Sequence, residues 1–92
     1  MLLRSISEGT IAGTGTLQMP AKVLGGVLIT ADGTNNATIL LQTDNSSGAQ
    51  IFELVTKSPI FITGPISNNG SQTLYYSISG TGASAQIYEW VE

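Results

Sequence analysis

Short runs of β-type residues, each cut off by Gly, Asn, Asp, Ser or Pro, recur along this chain and constrain its fold more than any other feature. Leu2–Ser7 reads as a first strand closed by Glu8-Gly9, and Thr10–Leu17 as an extended stretch broken by Gly13 and Gly15. Residues 1–17 are therefore either an N-terminal arm or an edge strand. Ala21–Ala31 is a long strand with Gly25-Gly26 at its middle, the kind of pair that marks a bulge or bend. Ala37–Thr43 follows the loop Asp32-Gly33-Thr34-Asn35-Asn36, and Ala49–Val55 follows the loop Asp44–Gly48. Ile60–Thr63 is a short strand stopped by Gly64-Pro65. Asn68-Asn69-Gly70 leads into Gln72–Ser79, its Asn-Gly pair supplying the positive φ angles of a type I′ turn. Gly80-Thr81-Gly82 precedes the last strand, Ser84–Val91. About seven or eight strands at this spacing suit an antiparallel β-sandwich. No segment shows a 3.6-residue apolar period with helix caps. All-β is the expectation, with jelly-roll and immunoglobulin-like strand orders both open.

Ninety-two residues suit one domain, expected to span 1–92. A chain of this size buries only about 60–65% of the surface its unfolded form exposes. Small folds usually add disulfides, a metal or partner subunits. Cysteine and histidine are both absent, which removes disulfides, zinc and iron–sulfur ligation together and leaves self-association as the open route. With 41% hydrophobic residues and a net charge of −3, the chain is expected to fold. Arg4, Lys22 and Lys57 are its only basic residues and lie scattered, so no nucleic-acid partner is expected. No apolar run approaches the roughly 20 residues that cross a bilayer, and the start lacks the apolar core of a signal peptide. Synthesis in the cytoplasm, with no membrane partner, is the expectation.

Alternation assigns faces within the strands. Leu74, Tyr76 and Ile78 share one face of Gln72–Ser79, opposite Thr73, Ser77 and Ser79. Phe52 and Leu54 point together, opposite Glu53. The closing strand differs, since Ala85, Ile87 and Val91 lie with Glu89 while Tyr88 and Trp90 lie with Gln86. Large apolar groups on both faces suggest a second covering, such as a neighbouring subunit. The competing reading places Tyr88 and Trp90 in the core and leaves Ile87 and Val91 singly exposed.

Catalytic chemistry finds little to use. Serines are plentiful, but no histidine is present to activate one and no Gly-x-Ser-x-Gly elbow occurs. Of the six acids, Asp32 and Asp44 are explained by turns, and Glu89 and Glu92 by a solvated strand end. Gly13-Thr14-Gly15 and Gly80-Thr81-Gly82 lack the helix and lysine of a phosphate loop. Asp32–Asn36 offers oxygen ligands, but calcium needs about six oxygens and usually several carboxylates, so a turn is expected there. No enzyme activity, cofactor or metal is expected. Tyr75, Tyr88 and Trp90 are the candidate subunit or partner interface; the alternative is that they are the platforms of a carbohydrate-binding module.

The run Ala31–Leu41, the loop Asp44–Gly48 and Ala49–Leu54 resemble small β-sandwich proteins of tailed-bacteriophage particles. So do Gly64-Pro65-Ile66, Tyr75-Tyr76 and the closing Tyr88-Glu89-Trp90-Val91-Glu92. The likeness spans roughly Lys22 to Glu92 and lies in strand rhythm and polar hairpins. It implies a jelly-roll-like sandwich, often a homotrimer, that serves as a capsid decoration or cement protein. The implied partner is the major capsid protein or another virion protein, and the implied location is the virion. A head- or tail-fibre component that binds a carbohydrate or receptor is the alternative.

Overall fold

The structure, a computed structural model, describes residues 2–7, 9–18, 23–67 and 73–91, with the backbone alone for Leu2, Ser67, Trp90 and Val91. Eight strands follow one another without a helix among the described residues: β1 (Leu2–Ser5), β2 (Gly13–Gln18), β3 (Val23–Thr30), β4 (Ala37–Thr43), β5 (Gln50–Thr56), β6 (Ile60–Ser67), β7 (Thr73–Ser79) and β8 (Ser84–Val91). They pair antiparallel into two four-stranded sheets, ordered β1-β8-β3-β6 and β2-β7-β4-β5. This order is that of an eight-stranded jelly roll, two Greek keys wound into facing sheets. It resolves the choice of topology that the sequence left open.

Several of the expected boundaries change, most of them by a residue or two. Residues 1–17 form no free arm within the described part: β1 and β2 are edge strands, one in each sheet. The first strand stops at Ser5 instead of Ser7, because the chain turns there to cross from one sheet to the other. It still touches β8 on the way, through Ile6 N–H to the Ile87 carbonyl at 2.8 Å and a two-way bridge between Ile11 and Ala85. β6 runs on through Gly64-Pro65 to Ser67. It is the outermost strand of its sheet, where a proline need not donate to a neighbour on both sides. The Gly25-Gly26 pair does mark a bulge, as a register shift between Leu24 and Gly26 against both β6 and β8. The Asn68-Asn69-Gly70 turn lies outside the described residues.

One apolar layer fills the space between the sheets, and the molecule is only 18 Å through its thin axis. Leu24, Val27, Ile29 and Ile87 from the first sheet meet Ile39, Leu41 and Leu74 from the second, all fully buried. Strand alternation dictates this set, since residues of one parity share a face. Leu74 and Ile78 face inward with Tyr76 packed beside them, and Phe52 and Leu54 line the same layer from β5. On β8 the inward face is Ala85, Ile87 and Glu89, so the reading that sent Tyr88 to the core fails. On its outer face, Tyr88 packs against Phe61.

Candidate functional site

The outer face of the first sheet carries an aromatic and aliphatic surface. Cross-strand register places Leu28 opposite Phe61 on one side and Gln86 on the other, and Gly26 between Tyr88 and Thr63. Phe61 and Tyr88 meet edge to face, with centroids 5.8 Å apart and planes at 64°. Gly26 lies directly beneath them, and a Cβ there would come within 2.6 Å of Phe61 Cζ. The rings thus cover bare backbone on a central strand, which only glycine allows. Tyr88 is further fixed by its hydroxyl hydrogen-bonded to Gln86 Oε1 at 3.1 Å. Leu3 and Phe61 nonetheless remain 40% exposed.

The predicted interface residues do not come together. Tyr75 pairs with Thr16 and Gln42 on the second sheet, facing away from the core, whereas Tyr88 lies on the opposite side of the sandwich. Trp90 pairs with Leu3 through its backbone, and its side chain lies outside the described residues. The outer face around Tyr75 is rich in hydroxyls, with Thr14, Thr16, Ser77 and Thr38 beside Leu40 and the exposed Val55. The two outer faces therefore differ in chemistry: the first carries a packed pair of aromatic rings, the second a single tyrosine among hydroxyls.

A second feature lies where β1 and β2 border the open side of the sandwich. A groove of about 580 Å³ runs between them, lined by Arg4, Ser5, Ile6, Ser7, Thr16, Leu17, Gln18 and Glu89. Glu89 is its floor. It stands directly opposite Arg4 in the β1–β8 ladder and opposite Leu24 in the β3–β8 ladder, which points it inward with Ala85 and Ile87. Its side chain is 2% exposed, while that of Arg4 is 61% exposed because β1 is an edge and the guanidinium extends into the opening. Arg4 Nη2 donates to Glu89 Oε1. No donor among the described residues reaches Glu89 Oε2, which is buried. No family model, curated protein or solved structure matches this chain. The groove must be understood from its own atoms.

The rim of the groove is built by local chemistry. After β1, Ser7 Oγ takes the place of a ladder carbonyl and accepts from Ile87 N–H at 3.3 Å, while donating to the Gly9 carbonyl at 2.6 Å. Ser5 Oγ lies 3.2 Å from Ser7 Oγ. These serines hold the strand ending against β8 as the chain leaves the sheet. Elsewhere the acid expected in a turn is one: Asp32 Oδ1 accepts from the N–H groups of Thr34 and Asn35, and Oδ2 from Asn35 Nδ2. Both of its oxygens serve the loop.

Sequence reasoning missed Glu89. Its parity with Ala85 and Ile87 was visible, but it was assigned to a solvated strand end. It is 1% exposed because β1 closes over that end of β8. Its partner Arg4 lies 85 positions away, beyond any local pattern.

Proposed function

We propose that this protein works by assembly, as a structural protein of a viral particle that decorates a shell and bridges its subunits. The observation that supports this reading best is the difference between its outer faces. Leu3, Leu28, Phe61 and Tyr88 form one aromatic and aliphatic surface on a small sandwich, and no described element of the chain covers it. Apolar surface with aromatic anchors suits the centre of a protein–protein contact, where a few such side chains supply most of the binding energy. Resemblance in strand rhythm to phage decoration proteins supports the same reading, and the jelly-roll order is compatible with it. A homotrimer seated against the major capsid protein is the arrangement proposed.

Light scattering coupled to size exclusion, with co-sedimentation on preformed tailed-phage capsid shells, tests this directly. A trimer that sediments with shells, and loses that ability in Phe61→Asp, is the expected result. A monomer that leaves every shell bare would overturn the proposal.

A further inference from the structure

We infer that the groove between β1 and β2 binds a neutral, hydroxyl-rich small molecule of the saccharide class, with Glu89 Oε2 as the acceptor at its floor. This inference stands apart from the assembly reading, because the groove opens on the edge of the sandwich and not on its aromatic face. A buried charged oxygen without a donor is costly, and native proteins rarely leave one without a role. Here the orphaned oxygen belongs to a residue that lines an opening.

The charges decide the class of ligand. Glu89 and Arg4 already neutralise each other. An ammonium at Oε2 would meet the Arg4 guanidinium beside it, and an anion would meet the Glu89 carboxylate. A neutral hydroxyl satisfies Oε2 with neither repulsion. An adjacent hydroxyl on the same ligand then accepts from the remaining N–H groups of Arg4, which present a fixed fork of donors. Across the groove the edge strand β2 contributes Thr16, Leu17 and Gln18 to the facing rim. Vicinal hydroxyls are what a saccharide offers to such an arrangement. The groove volume of about 580 Å³ falls within the roughly 300–1,000 Å³ range of small-molecule sites.

The test is a titration followed by ligand-observed NMR and calorimetry, using glucose, galactose, mannose and N-acetylglucosamine, with methylammonium and inorganic phosphate as charged probes. At least one sugar should bind at millimolar concentration and the charged probes should not. Glu89→Met, which keeps the volume and removes the acceptor, should weaken that sugar by about tenfold or more. Gln18→Ala, an exposed change on the rim, should weaken it less and keeps the test decisive if Glu89→Met fails to fold. Glu53→Gln on the far outer face should leave binding unchanged. Silence for all four sugars, binding of methylammonium or phosphate instead, or a sugar affinity indifferent to both groove variants would overturn the assignment. None of these outcomes depends on whether the protein binds a shell.

Discussion

Two carboxylates in this molecule sit in opposite circumstances. Asp32 lies on an exposed loop, yet both of its oxygens accept hydrogen bonds from residues two and three positions on. Glu89 is buried in the sandwich, yet only one of its oxygens has a donor among the described residues. Exposure makes an unmet hydrogen bond cheap, and burial makes it expensive. A chain shaped only by stability would satisfy the buried group first. The inverted pattern marks the Asp32 loop as self-contained architecture, and the Glu89 groove as the place where a buried oxygen goes without a donor among the described residues.

The largest expected effect comes from taking Arg4 away from Glu89. Arg4→Met leaves a carboxylate at 1% exposure without the cation that pairs with it. Uncompensated buried charges cost about 3–5 kcal/mol, and urea denaturation should show a loss of that size. A loss below about 1 kcal/mol would mean that the pair behaves as an ordinary surface contact. Removing both charges should have the opposite sign. Arg4→Met combined with Glu89→Met removes a pair whose carboxylate is buried and whose guanidinium is mostly exposed, and should be neutral or stabilising by about 1 kcal/mol. A double variant as unstable as Arg4→Met alone would show that the pair is needed to hold β1 on β8.

On the other side of the comparison, the Asp32 loop is braced by a neighbouring turn. Gly82 has a φ of +74°, and a Cβ there would lie 3.0 Å from Asp32 Cβ. Gly82→Ala should therefore cost about 1–2 kcal/mol from the left-handed backbone alone, read as a lower denaturation midpoint. An unchanged midpoint would show that the two loops can separate freely.

What could be read from sequence follows the range of each interaction. Ala37–Thr43 and Ser84–Val91 were legible to the residue, because alternation and flanking turns are encoded within a few positions. The use of Asp32 in its own loop was legible for the same reason. β2 was blurred because Gly13 and Gly15 dilute a strand pattern, although Gly15 sits where a Cβ would meet the Tyr76 ring. β6 was cut short because Gly64-Pro65 reads as a stop unless the strand is known to be outermost. The strand order depends on contacts between β1 and β8, at opposite ends of the chain, and so does the Arg4–Glu89 pair. Tyr75 and Tyr88 looked like one surface because both are aromatic strand residues. Only the assignment of β7 and β8 to different sheets separates them.

The smallest effect expected is the pH dependence that Asp32 confers. Its carboxyl is held below the ordinary value of 3.8, first by the Asn35 backbone N–H, then by the Thr34 N–H and the Asn35 side-chain amide. Between the folded and unfolded values the unfolded chain binds more protons, so stability rises with pH across that window. The contribution is complete above 3.8 and disappears as pH falls through the lowered folded value. Asp32→Asn keeps a side-chain oxygen for the turn but cannot titrate. Denaturation midpoints of the two proteins, followed from neutral pH down to about pH 2, should therefore converge in acid and separate slightly above it. Curves that stay parallel throughout would show that the loop gains nothing from the charge.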